Sequence, residues 1–301
     1  MAVISSSGSA SSSLGRVESR PFLKWAGGKG QLLSELLARV PTAFGKYFEP
    51  FLGGGALSFA LYSKGRVDEA YLSDANTKLM DTYWAVRDEV EAIIAELPAF
   101  TNDRELYYQV RSWHHEDLAP ARRAARFIYL NKTCYNGLYR ENQRGVFNVP
   151  FGRYRHPKIC DADNLRAAAV ALRHAQLQCH DFDKILDLVK ASDFVYFDPP
   201  YHPLSATSSF TSYREEGFGP DEQRRLAGAF QQLDRRAVYV MLSNSDTPLI
   251  RALYRDYVVE KVQAGRAINS RGERRGKISE LIVRNYRPEG DSTVVRNGEK
   301  A

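Results

Sequence analysis

"DFVYFDPPY", residues 193–201, sets an apolar run directly against a carboxylate, two prolines and an aromatic ring. Val195, Tyr196 and Phe197 read as a buried strand. The prolines fix φ and remove two N–H donors, so the backbone after Asp198 is rigid and presents carbonyls. The Asp198 carboxylate and the Pro199 carbonyl are then two fixed acceptors. Pro200 stiffens the same turn, and Tyr201 offers a flat face for stacking. Paired acceptors beside an aromatic face suit an exocyclic NH2 on a planar heterocycle, adenine or cytosine. The structural alternative is a strand that ends at a Pro-Pro turn, with Asp198 as a helix cap.

Similar strands flank this one. "KYFEPF" (46–51) is a short apolar run that stops at "LGGG", and a helical pattern follows it. "EAYLSD" (69–74) predicts a second strand that ends on Asp74. The spacing of Leu79, Tyr83, Val86, Val90, Ile93, Ile94 and Leu97 predicts one helix, ended by Pro98. Residues 101–133 read as helical, with Pro120 as a helix starter, and 134–158 as loops with a hairpin. Strands are expected again at 175–181, 193–198, 237–243, 257–263 and 279–286, with helices after the second and third of these. Alternation of this kind predicts an α/β fold, a largely parallel sheet with helices on both faces. The stretch from 76 to 172 interrupts the alternation and reads as an inserted unit.

In such sheets ligands sit beyond the carboxyl ends of the strands. Three features fall there: "EPFLGGG", Asp74 and "DPPY". Glycines let backbone approach a ligand, and an acid at the next strand end can accept from ribose hydroxyls. The pair suggests a cofactor that carries a nucleoside, although "GGGALS" lacks the third glycine of the dinucleotide fingerprint. "LKWAGGKGQLL" (23–33) is rich in glycine around Lys29 but fails the phosphate-loop pattern, with Gln31 where a hydroxyl is needed.

Composition narrows the class. The chain has 301 residues, 44% hydrophobic and 26% charged, which suits a globular protein of one large domain or a core with an insertion. No apolar run is long enough for a membrane span, so no membrane partner is expected. Residues 1–20, rich in serine, and 288–301 read as flexible tails. Cys134, Cys160 and Cys179 lack metal spacing, no metal is expected, and a sparse, odd count suits a reducing cytoplasm. His114 and His115 are expected at the surface. Net charge is +6; residues 131–158 carry +5 and residues 266–277 carry +4, so the remainder sums to −3. Positive charge focused in two segments argues for a polyanion partner.

Taken in order, "LKWAGGK", "EPFLGGG", "LSDAN" and "FDPPY" resemble the Dam-type DNA adenine-N6 methyltransferases, the D12 class. "LNKTCYNGLYRENQRGVFNVPFGRY" is similar to that family's target-recognition segment, and "PLSATSSFTSY" and "SNSDT" fit as well. The resemblance spans residues 21–287. It implies a Rossmann-like, S-adenosylmethionine-dependent methyltransferase sheet (21–75 and 173–287), with a helical and hairpin target-recognition domain inserted at 76–172. It implies S-adenosylmethionine as methyl donor, double-stranded DNA as partner and GATC as the usual target. Residue by residue, it gives Trp25, Lys29, Asp74 and Asp198 as cofactor-binding, with Phe51, Gly53 and Gly55 in the glycine motif. Asp198, Pro199, Pro200 and Tyr201 form its catalytic motif. Lys24, Tyr135, Asn136, Leu138, Arg140, Pro150 and Tyr154 are its DNA contacts, with Arg140 the guanine reader. Arg271, Arg274, Arg275 and Lys277 are expected on the DNA backbone. A monomer is expected, and some relatives work with a cognate restriction enzyme. The competing readings are the same chemistry on another DNA site or on RNA, and a DNA-binding protein without catalysis.

Overall fold

A computed structural model of the chain describes residues 16–203, 218–264 and 278–287. After a short helix α1 (Leu33–Leu37) come β1 (Tyr47–Glu49), α2 (Ala56–Ser63), β2 (Ala70–Asp74) and α3 (Thr77–Asp88). Helices α4 (Val90–Glu96), α5 (Arg104–Ser112), α6 (Pro120–Thr133) and α7 (Ala162–Leu172) follow. The order closes with β3 (Ala175–Cys179), β4 (Phe194–Phe197), α8 (Pro220–Arg235), β5 (Tyr239–Ser245), α9 (Pro248–Leu253), β6 (Val258–Ala264) and β7 (Ile278–Arg284).

The seven strands form one sheet in the order β3-β2-β1-β4-β5-β7-β6. Strands β1 to β5 pair in parallel, and β7 lies antiparallel between β5 and β6. This is the α/β, largely parallel sheet expected from the alternation, in the Rossmann-like form the resemblance implies. Every residue of β4 is buried. Phe194 and Tyr196 enter one core with Leu57, Tyr83, Ile128 and Leu165. Val195 and Phe197 enter the other with Leu226, Phe230, Val240 and Tyr254. A strand covered on both faces has no polar face to alternate with, which is why "FVYF" is continuously apolar. The chain steps from β1 to β2 to β3 on one side, then returns with β4 on the other side of β1. The order therefore reverses between β1 and β4, and a crevice opens beyond their carboxyl ends.

The helix expected over the Leu79–Leu97 pattern is two helices. Glu89 leaves helical backbone (φ −130°, ψ 32°) and joins α3 to α4. Between β2 and β3, α3 and α7 lie against the sheet, while α4, α5 and α6 form a further layer packed on them. Residues 134–151 form a hairpin, with antiparallel bridges Cys134–Phe151 and Glu141–Phe147. Its base is tight. A Cβ on Gly137 (φ +63°) would stand 2.6 Å from the Lys24 Cβ, and one on Gly152 would stand 2.7 Å from the Thr133 and Cys134 carbonyl oxygens. His115, expected at the surface, is 9% exposed, and its Nε2 lies 3.0 Å from Asp81 Oδ2 of α3. An acid on a neighbouring helix, invisible to local reading, draws it in.

Candidate active site at the sheet reversal

The glycine turn after β1 is held by the acid that ends β2. The Gly53 N–H donates to Asp74 Oδ2 (3.0 Å), and the Asn76 N–H donates to Oδ1 (2.9 Å). Each carboxylate oxygen can accept more than one hydrogen bond, so Asp74 keeps acceptor capacity for a ligand hydroxyl. Gly53 has φ +46°, and a Cβ there would meet Trp25 Cδ1 at 2.7 Å. The turn thus needs glycine for backbone and space alike. The Tyr83 hydroxyl donates to the Gly53 carbonyl (3.0 Å) and fixes the turn from below. Phe51 faces the other core, stacked on Phe182 with ring centroids 5.3 Å apart.

Glu49, the last residue of β1, is 3% exposed. It accepts from the Tyr47 hydroxyl (2.8 Å) and lies within hydrogen-bond reach of Ser58 in the first turn of α2. Burial pushes its carboxyl up to about 8. A carboxyl already stands where a phosphate would sit at this helix start. The turn is therefore a poor cradle for a pyrophosphate.

On the far side of the crevice, β4 delivers Asp198. Lys29 Nζ lies 2.7 Å from Asp198 Oδ1. The contact is short, but no hydrogen bond is directed onto Oδ1, so it is an ion pair. Lys29 is 5% exposed and Asp198 keeps 19% side-chain exposure, so the carboxylate can still be reached. Burial pushes the Asp198 carboxyl up to about 6, and the Lys29 ammonium pulls against that rise. Lys29 also donates to the Gly27 carbonyl (2.6 Å) and stands 4.6 Å from the centre of the Tyr201 ring. Carboxylate, ammonium and aromatic face thus converge at one point.

The turn after Asp198 is clamped from β5, β7 and α8. Gln223 Nε2 donates to the Pro200 carbonyl (2.9 Å). The His202 N–H donates to Asn244 Oδ1 (3.2 Å), and the Ser245 hydroxyl donates to the His202 carbonyl (2.5 Å). The Tyr201 hydroxyl donates to Glu280 Oε2 of β7 (2.5 Å). Among the described residues none donates to the Pro199 carbonyl, which stays available beside Asp198. Asn244 and Ser245 belong to the quoted "SNSDT" and hold this turn. Glu280 and Gln223 were not legible from sequence, because only the folded sheet brings them to it.

The candidate DNA contacts gather on the hairpin and on the segment beneath it. Asn131 of α6 accepts from the Lys24 N–H (2.7 Å) and donates back to the Lys24 carbonyl. Lys24 Nζ lies 3.5 Å from the centre of the Tyr154 ring. Tyr135 is 40% exposed, and its N–H donates to the Pro150 carbonyl (2.8 Å). Asn136 adopts φ +57°, a backbone that asparagine tolerates better than most residues, and Leu138 is half-buried. Arg140 Nε donates to Asn148 Oδ1 (2.6 Å) across the hairpin. "PLSATSSFTSY" beyond Pro203, and Arg271, Arg274, Arg275 and Lys277, lie outside the described residues.

The family model for D12 class N6 adenine-specific DNA methyltransferases matches residues 25–268. The chain is 43% identical over 289 residues to the type II methyltransferase M.MjaIII of Methanocaldococcus jannaschii, across 90% of this chain and 100% of that one. It is 41% identical over 279 residues to the type II methyltransferase M1.LlaDCHI of Lactococcus lactis, across 90% and 97%. It is also 37% identical over 275 residues to the DNA adenine methylase of Escherichia coli K12, across 90% and 96%.

Proposed function

Since the chain belongs to the D12 class of N6 adenine-specific DNA methyltransferases, we propose that it uses S-adenosylmethionine to methylate N6 of an adenine flipped out of duplex DNA, at GATC. One observation supports the reading: Lys29 stands 2.7 Å from Asp198 Oδ1 and 4.6 Å from the centre of the Tyr201 ring at the end of β4, which pairs with β1, whose following turn is tied at Gly53 to Asp74.

The residues fit the methyl donor. Asp74 offers acceptors for ribose hydroxyls, Trp25 walls the Gly53 turn, and Asp198 supplies negative charge for a sulfonium. Phe51, Gly53, Gly55 and Lys29 complete the cofactor side. When bound, the cofactor supplies an already activated methyl group, so the protein's task is position and electrostatics.

Adenine N6 is a weak nucleophile because its lone pair is spread into the ring. Lys29 holds Asp198 Oδ1, which leaves Oδ2 and the Pro199 carbonyl to accept the two amine hydrogens. That pairing favours a pyramidal nitrogen with its lone pair directed outward. Tyr201 stacks on the base and fixes its plane. Such alignment can remove on the order of 7–11 kcal/mol of barrier. The carboxylate then accepts the proton that N6 loses. A stacked base cannot reach this pocket, so it leaves the helix at a cost of a few kcal/mol, offset by these contacts.

The 134–158 segment, within an inserted unit at 76–172, grips DNA. Lys24, Tyr135, Asn136, Leu138, Pro150 and Tyr154 position the duplex, and Arg140 reads a guanine. We assign the chain to the bacterial cytoplasm as a monomer, with no metal in its chemistry. A cognate restriction enzyme would fit the similarity to type II methyltransferases.

The test is labelled methyl transfer to duplexes with and without GATC, and to RNA. Asp198→Ala is expected to lower transfer by at least about a thousandfold while the duplex Kd stays within about threefold. Equal loss of both would make "DPPY" a support of the fold. Transfer confined to another sequence would move the target and keep the chemistry.

A further inference from the structure

We propose that Tyr139, Lys78 and Glu141 form a latch that seats the recognition hairpin on the cofactor side of the site and so sets how sharply the target is discriminated. The inference rests on the reading of Arg140 as a base reader given above.

Tyr139 precedes Arg140, and its ring turns inward. It stacks on Trp25 (5.7 Å between centroids, 23° between planes) and on Phe127 (5.1 Å, 25°). Trp25 itself walls the Gly53 turn, so one aromatic layer separates the hairpin from the glycine turn. The Tyr139 hydroxyl donates to Glu141 Oε1, with the Asn76 side chain also in reach. Lys78, in the first turn of α3, donates to the same Glu141 oxygen (2.7 Å) and to the Gly145 carbonyl at the hairpin tip. Asn76 and Lys78 follow Asp74 directly in the chain. The same few residues thus end the cofactor strand, start α3 and hold the hairpin.

Two further observations give this contact a purpose. Glu141 is the one acid among the Lys and Arg residues of 131–158. Unpaired, it would repel phosphate, and Lys78 neutralises it. The hairpin rests on the core through Cys134, Phe147 and Val149. Beside the latch lies a pocket of about 210 Å³, open to solvent and lined by Lys78, His115, Arg126, Tyr139, Glu141 and Phe147. Without the latch the hairpin has room to shift. Arg140, tied to Asn148 of the same hairpin, would move with it.

The experiment measures, by anisotropy on the full chain with S-adenosylhomocysteine present, the Kd for a GATC duplex and for the same duplex with one guanine changed. Lys78→Met and Glu141→Gln are each expected to lower the ratio of the two about tenfold, within the range one guanine contact supplies. Tyr139→Phe keeps the stacking and loses the hydroxyl, and should share the effect. Lys78→Arg, which keeps a cationic donor for both Glu141 and the Gly145 carbonyl, should hold the ratio to within about threefold of the parent. A residue that only supports the fold would weaken both duplexes equally, and an unchanged ratio, with or without a lower Tm, overturns the proposal. Methyl transfer by the parent chain reports separately on the reaction. A chain that transfers nothing yet shows the tenfold fall keeps the latch and loses the chemistry.

Discussion

At the scale of single residues, the site turns on how one buried carboxylate is kept charged. Asp198 is a strong acceptor for an amine, and can take its proton, only when ionised, and burial raises its pKa to about 6 against the pull of Lys29. On the proposed mechanism, kcat/KM is therefore lost as pH falls through about 6 and reaches a plateau above it. Lys29→Met removes the ammonium and leaves burial unopposed, so the midpoint of that profile should move upward. A pH–rate profile of parent and variant, taken with saturating cofactor, checks both. A midpoint that stays put would mean that another group governs the profile. Lys29 also shows where local reading was ambiguous. "GGKGQ" is rich in glycine like a phosphate loop yet fails that pattern, and only the partner at the end of a distant strand, Asp198, shows what the charge of Lys29 is paired with.

At the scale of elements, the proposed reading gives the sequence information to the hairpin. Its inward residues, Tyr139 and Glu141, are spent on Trp25 and Lys78, while Arg140 is set by Asn148. Arg140→Ala is expected to relax preference at one guanine by about 1–3 kcal/mol, read as methylation rates on duplexes changed one base at a time. A uniform loss across all of them would make Arg140 a phosphate contact. The strand ends were legible in the sequence because glycine, proline and a terminal acid act on their own backbone: "EPFLGGG", Asp74 and "DPPY" all fall at the carboxyl ends of adjacent parallel strands. The hairpin's supports were not legible. Lys78 and Glu141 are 63 residues apart, and neither breaks a local pattern. The break at Glu89 was hidden for a related reason, since the apolar spacing runs on through it.

At the scale of the whole molecule, charge divides the labour. The sheet and its helices carry little net charge, and the excess of positive charge sits in 131–158 and 266–277. Affinity for duplex should fall steeply with salt. Each of Arg271, Arg274, Arg275 and Lys277 that touches a phosphate should contribute about 0.9 to the slope of log Kd against log salt. Neutralising them together and repeating the titration tests this, and an unchanged slope would remove these residues from the interface. The shape of the molecule adds something of a different kind. Gly137 and Gly152 stand at the two feet of the hairpin, each too close to Lys24 or to the Thr133–Cys134 backbone to accept even a methyl group. They behave as fixed rivets, and the span between them is a cartridge. On the proposed reading, exchanging residues 138–151, with Tyr139 and Glu141 kept for Trp25 and Lys78, for the matching span of a relative would rewrite the letters read and leave Asp74 and Asp198 in place. Descendants could then diversify in target without ever reinventing the reaction.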